Sequence, residues 1–217
     1  MGLFLLSETN QPSDMLRQKL ASEISQRGGL IAYISSAPQD ENRSFFEETK
    51  ANYANITPNV SLEYFDLSER FTDEQLSSIA NFPIVHLSGG NTYVFVEALR
   101  RRGISAILTE VVDNNGLIIG VSAGAIALTQ NIDTSAFCGD PNIPALTDMS
   151  GMRFVDFCFL PHLGTHFEDT PDNRAKAQEF ANATGKTLYV GRDSEGIFVD
   201  QNGQTQYGDL LKLDPKA

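Results

Sequence analysis

Gly120-Val121-Ser122-Ala123-Gly124-Ala125 follows the apolar run Leu117-Ile118-Ile119 and leads into Ile126-Ala127-Leu128. Read together, these residues form a strand, a sharp turn with a serine at its apex, and the start of a helix. Such a turn forces the serine into a strained backbone conformation, and only small neighbours let strand and helix approach so closely. It exposes the hydroxyl at the end of a sheet and aims the first backbone N–H groups of the helix at whatever sits beside it. The segment reads as a nucleophile elbow. The bare G-x-S-x-G pattern is weak; the strand before it and the alanine-rich helix start after it supply the context the motif requires. The plainer alternative is a tight β-to-α turn whose serine caps the helix.

Outward from the elbow, short apolar runs alternate with amphipathic stretches over the first two-thirds of the chain. Strands are predicted at Leu3–Leu6, Leu30–Ile34, Val60–Phe65 and Pro83–Leu87, with the elbow strand at Leu117–Val121. Helices are predicted from about Ser13 to Arg27, across Glu41–Ala54, near Thr72–Ala80 and from Thr92 to Arg102. Thr72 with Gln75 three residues on is a capping-box pattern. This alternation argues for an α/β fold, a doubly wound and mostly parallel sheet with helices on both faces. The last third differs. A loop-rich stretch from Thr129 to Met152 is expected on the surface around the site. Then come a strand-like run at Phe154–Leu160, a helix over Asp172–Ala183, and short strands at Thr187–Val190, Gly196–Val199 and Gln204–Tyr207. The last two are joined by the Asn202-Gly203 hairpin turn. No repeat, low-complexity segment or linker divides residues 1–217, which read as one domain.

The 217 residues suffice to bury a core without staples. The formal charge is −12, from 28 acidic and 16 basic residues, and no Lys or Arg stripe is present. Nucleic acid and anionic membranes are therefore excluded as expected partners, because phosphate binding needs a basic surface. Cys138 and Cys158 form no C-x-x-C pair and read as buried free thiols of a reducing compartment. Three histidines without clustered Cys/His spacing offer no zinc site. The run Leu3-Phe4-Leu5-Leu6 has no basic flank and is too short for a signal or a membrane span, so a cytoplasmic location is expected.

A serine hydroxyl near its ordinary pKa is a poor nucleophile and needs a base, usually a histidine oriented by a third group. His162 stands just past a strand-like run, at the sheet end where open α/β folds place their ligand crevice. His166 is a competitor four residues on, and His86 reads as a satisfied core histidine. The oxyanion of acyl transfer needs two N–H donors. Ala123, directly after the serine, supplies one, and the Gly89-Gly90 loop at a neighbouring strand end offers the other. Candidate orienting acids are Asp133, Asp140, Asp148 and Asp156 before the histidine, and Glu168, Asp169, Asp193 and Glu195 after it.

Gly89-Gly90-Asn91-Thr92 after a strand, Gly120-x-Ser122-Ala123-Gly124-Ala125, Pro161-His162 and Glu195-Gly196 together resemble peptidase family S51, the aspartyl dipeptidase (peptidase E)-like serine hydrolases, in order and spacing. The resemblance implies a fold related to class I glutamine amidotransferases. It also implies a Ser122–His162–Glu195 triad, an oxyanion hole from Gly90 and Ala123, and no metal or organic cofactor. The order Ser…His…Glu differs from the Ser…Asp/Glu…His of α/β-hydrolases. Two departures keep alternatives open. The base motif reads Pro161-His162-Leu163, with a second His-Phe at His166-Phe167, and Asp193 could serve as orienter in place of Glu195. In aspartyl dipeptidases a basic residue holds the substrate's acidic side chain. Arg174 aligns in that region, and Asn91 is the other substrate-binding candidate, without Asp specificity being carried over. The expectation is a serine peptidase acting on short peptides, dipeptides among them, through an acyl-enzyme. An esterase or amidase for a small non-peptide substrate and a catalytically silent binding protein of the same fold are the alternatives. The oligomeric state is open, a homodimer included.

Overall fold

The computed structural model describes residues 2–39 and 41–216. Its centre is a seven-stranded sheet made of β1 (Gly2–Leu6), β2 (Leu30–Ser35), β3 (Ser61–Asp66), β4 (Ile84–Leu87), β5 (Leu117–Val121), β8 (Gly196–Asp200) and β9 (Gly203–Tyr207). The order is β3-β2-β4-β5-β1-β8-β9. The first five strands run parallel, and β8 and β9 close one side as an antiparallel hairpin.

Strand alternation distributes the apolar residues to two faces. Leu3 and Leu5 of β1 pack with the helices α4 (Thr92–Arg101), α5 (Ile104–Asp113) and α6 (Ala123–Ala127). Phe4 and Leu6 pack on the opposite face with α1 (Asp14–Gln26) and Tyr53 of α2 (Ser44–Ile56). Both faces are thus covered, which is why β1 and β5 are buried at every position. A smaller three-stranded sheet, β10-β7-β6, is built from β6 (Cys158–Leu160), β7 (Leu188–Val190) and β10 (Leu211–Leu213). It shares an apolar cluster with Ala177 and Ala181 of α7 (Pro171–Thr184). Among the described residues, no helix is long and apolar enough to cross a membrane.

Several elements differ from the sequence expectation. The predicted helix near Thr72–Ala80 is α3 (Asp73–Ser77), carrying the Thr72–Gln75 capping box, followed by a 3-10 turn over Ser78–Asn81. The strand expected from Phe154 begins only at Cys158. The N–H groups of Met152, Arg153 and Phe154 are instead taken by the carbonyls of Ala127, Thr129 and Leu128 just past the elbow helix. Helix α5 and strand β10 were not anticipated. Gly103, in the left-handed region at φ 65°, turns the chain from α4 directly into α5.

Candidate active site

The elbow follows from crowding. Ser122 holds φ 51° and ψ −112°, in a region that costs a non-glycine residue of order 1–3 kcal/mol. Its N–H donates to Leu6 O at 2.9 Å, which ties the turn to the end of β1. Behind it, Gly124 passes so close to β4 that a Cβ there would lie 2.2 Å from Leu87 O, while its N–H donates to Ser88 O at 3.0 Å. No side chain larger than hydrogen fits, so the G-x-S-x-G spacing is a packing requirement.

The partner of Ser122 is His162, whose Nε2 lies 2.8 Å from Oγ. His162 follows β6, sits at φ 68°, and is held by contacts on both sides. Its N–H donates to the buried hydroxyl of Ser7 at 3.3 Å, and the Ser7 hydroxyl donates to Gly191 O at 3.3 Å. Its carbonyl accepts the N–H groups of Thr165, His166 and Phe167, each at 3.1 Å, which curls the chain into a compact turn. Nδ1 of His162 is 2.7 Å from Asp193 Oδ1, and the other oxygen of Asp193 accepts from Thr165 Oγ1 at 3.2 Å. Since the carboxylate can only accept, Nδ1 carries the proton and Nε2 is left to accept from the serine.

The expectation that Glu195 sits at this position is corrected. Its carboxylate is buried and accepts the N–H groups of Arg192 and Asp209, both at 2.9 Å. A turn closed by Glu195 N–H to Arg192 O at 3.0 Å sends Asp193 toward the histidine and Glu195 inward. Glu195 therefore braces the turn that presents Asp193. His166 is exposed and lies edge-on to His162, with ring centroids 5.0 Å apart, while the serine contact belongs to His162.

Gly89 and Gly90 border the serine: a Cβ on Gly89 would lie 3.8 Å from Ser122 Oγ. Gly90 adopts φ +131°, and a Cβ there would meet Ser36 Oγ at 2.1 Å. Ser36 clamps the loop by donating to Gly89 O at 2.6 Å. Ala123 opens α6, so its N–H is among the donors that a helix start leaves without an internal acceptor.

Of the other two expected contacts, Asn91 lines the cavity and Arg174 does not. Asn91 caps α4 by accepting Val94 N–H at 2.9 Å, and its amide donates to Pro141 O at 2.9 Å. Arg174 lies exposed on α7, paired with Asp169 through Nη2 at 2.9 Å, and does not line the cavity. His86 lies inside β4 with Nδ1 2.9 Å from Tyr53 Oη and its ring stacked on Tyr33. Burial pushes its pKa down to about 3, so it stays neutral. Cys138 and Cys158 are free thiols, and burial pushes the Cys138 thiol up to about 12.

Ser122 and His162 open onto a cavity of about 780 Å³, a volume suited to a small molecule or short peptide. Its walls come from the segment after β1, the segment after β2, α2 and the Ser88–Asn91 loop. Ser7 and Ser36 are supports that pattern reading did not isolate, and Glu195 was named for a different role; all three depend on contacts 14 to 184 residues away in sequence.

Comparison with known proteins shows the family of the chain. The model of "Peptidase family S51" matches residues 3–206. An uncharacterized peptidase of Listeria monocytogenes is 25% identical over 175 residues, covering 80% of this chain and 83% of that protein. An uncharacterized peptidase of Pasteurella multocida is 28% identical over 133 residues, covering 61% of this chain; the match spans 64% of that relative's length. Peptidase E of Escherichia coli is 39% identical over 62 residues, 29% of this chain and 27% of that protein. Among solved structures, a peptidase from an acI-B1 Actinobacterium superposes with a TM-score of 0.69 at 15% identity, over 100% of this chain and 95% of that one. By the match to its family model across nearly the whole length, this chain belongs to peptidase family S51.

Proposed function

We propose that the chain is a serine peptidase that hydrolyses short peptides through an acyl-enzyme, with Ser122 as nucleophile, His162 as base and Asp193 as orienting carboxylate. The observation that carries this reading is the continuous relay of 2.8 Å from Ser122 Oγ to His162 Nε2 and 2.7 Å from His162 Nδ1 to Asp193. Contacts that short are what nucleophile activation requires, and they speak against a catalytically silent protein of the same fold. On attack, the Ser122 proton passes to Nε2 as Oγ bonds to the substrate carbonyl carbon. The carbonyl oxygen takes the negative charge, and the N–H groups of Gly90 and Ala123 stabilise it. His162 then returns the proton to the leaving amine, and water repeats the sequence to release the acid. No step calls for a metal or organic cofactor.

In this reading residues 1–217 act as one S51 peptidase-like domain with a class I glutamine amidotransferase-like sheet, working in the cytoplasm. The test uses a fluorophosphonate probe and a panel of free and N-blocked dipeptides beside short esters. Wild type is expected to be labelled and to prefer substrates with a free α-amino group. Ser122→Ala is expected to lose both labelling and turnover; hydrolysis retained by pure Ser122→Ala protein would end the assignment. Faster turnover of esters or blocked compounds would move it to an esterase or amidase.

A further inference from the structure

His86 is a buried side chain with half of its hydrogen-bonding capacity unused. It is 1% exposed, and its one hydrogen bond among the described residues joins Nδ1 to Tyr53 Oη at 2.9 Å. Tyr53 is fully buried, and its hydroxyl has no other partner among the described residues. A sealed phenol must give its hydrogen to an acceptor, so Oη donates to Nδ1 and the imidazole hydrogen sits on Nε2. Burial keeps the ring neutral, with its pKa pushed down to about 3. The direction of this N–H is fixed by packing. One ring face stacks on Tyr33 with centroids 4.9 Å apart, and Tyr53 meets the ring edge-on.

Nε2–H thus has no acceptor among the described residues. The described side-chain atoms that are both partnerless and sealed from solvent are the hydroxyls of Ser13, Thr134 and Ser135, so Nε2 is not closed off. His86 lines the cavity of Ser122, and the free edge of its ring opens there. A buried donor without an acceptor is costly, and a ligand oxygen would satisfy it.

The strand register sets the depth of this donor. His86 pairs with Ile119, three residues before Ser122, which puts it about 10 Å below the nucleophile along the sheet. The base and its carboxylate reach Ser122 from the segments after β6 and β7, whereas His86 comes from β4 and Tyr33 from β2. The leaving amine must face His162 to receive its proton. The acyl-side residue therefore extends the other way, over β4 and β2.

The group that accepts from Nε2 there is uncharged. The described lining has no lysine or arginine to neutralise a carboxylate, and an ammonium has no lone pair to offer. A carboxamide meets both conditions. Its oxygen accepts from Nε2, and the uncharged side chains of Tyr33, Thr49 and Asn52 supply oxygen acceptors for its NH2 in the same lining.

We infer that the acyl-side pocket takes an uncharged carboxamide side chain, glutamine or asparagine, with His86 Nε2–H as its specificity-determining donor. This rests on the peptidase reading above and names its substrate class.

The experiment compares kcat/KM for aminomethylcoumarin amides in near-isosteric sets: Gln with Met and Glu, and Asn with Leu and Asp. Fluorophosphonate labelling of Ser122 is measured in parallel. In at least one set, wild type is expected to cleave the carboxamide at least about 10-fold better than both its apolar and its acidic counterpart. His86→Phe keeps a ring and removes the donor. It is expected to bring the carboxamide-to-apolar ratio to about one, with the apolar substrate cleaved within about 3-fold of wild type. Should that variant fail to fold, Tyr53→Phe frees the imidazole tautomer and is expected to lower the same ratio by about 3-fold or more. A ratio between isosteres is not moved by a general loss of stability. Carboxamides cleaved no better than their counterparts in both sets, or a ratio that neither variant moves, would overturn the inference, while a labelled Ser122 leaves the peptidase reading standing. An unlabelled Ser122 with no hydrolysis would remove both.

Discussion

The two halves of the relay are built in opposite ways. On the elbow side, Ser122 is placed by its immediate neighbours: the strained φ of 51°, the strand before it, and Gly124 pressed against Leu87. On the base side, His162 and Asp193 come from two separate turns, one after β6 and one between β7 and β8. They are joined by Ser7 from the far end of the chain, whose hydroxyl bridges His162 N–H and Gly191 O. A nucleophile position can thus be written in six contiguous residues, whereas a base and its carboxylate depend on tertiary contacts that no local pattern encodes.

The largest expected effects fall on the chemistry itself. His162→Ala should lower kcat on the order of 10⁶-fold, as loss of the base does in a serine relay, while His166→Ala keeps most of the activity. A larger loss for His166→Ala than for His162→Ala in steady-state assays would reverse the assignment of the two imidazoles. Next comes the carboxylate: Asp193→Asn should cost about 10⁴-fold in kcat by favouring the wrong histidine tautomer. Glu195→Gln should instead cost about 1–3 kcal/mol of stability through a weakened backbone acceptor, read by denaturant melts.

Comparable in size to the Glu195 effect is the pH response of the sheet beneath the cavity. His86 titrates near 6.5 when unfolded and near 3 when folded, because burial disfavours its charge. Between those values the unfolded chain binds the extra proton, so stability is full above about pH 6.5 and falls as pH drops toward 3. At pH 4 the loss amounts to about 3 kcal/mol. Thermal melts from pH 7 to 4 should show it, and His86→Gln should flatten that part of the slope. The smallest effect belongs to the bridge between the halves. Ser7→Ala leaves the His162 N–H without its acceptor and should cost about 1–2 kcal/mol, with kcat falling while KM holds.

The same contrast explains how much the sequence disclosed. The parallel sheet with helices on both faces was legible because strands such as Leu3–Leu6 and Leu117–Val121 are continuously apolar, as burial on two faces demands. Ser122 and His162, which the structure brings to 2.8 Å of each other, could be named because each sits at a strand end. The choice between Asp193 and Glu195 could not be made, since residues two apart share a face in an extended chain and only the turn at Arg192–Glu195 separates them. That turn is set by Glu195 reaching Asp209, which lies beyond β9. Arg174 was placed only by its position along the chain after the base, and no residue of α7 is among the described lining of the cavity. The strand expected from Phe154 was shortened by carbonyls at the end of the elbow helix, again a tertiary competitor for backbone bonds.

The central claim is that His162 Nδ1 gives its hydrogen bond to Asp193. With three histidines in the chain, the low-field imidazole N–H region of a proton NMR spectrum can report this bond directly. The account predicts a low-field His162 Nδ1–H resonance in wild type that persists in Glu195→Gln and is lost or moved sharply upfield in Asp193→Asn. A resonance that survives Asp193→Asn and disappears in Glu195→Gln would contradict it.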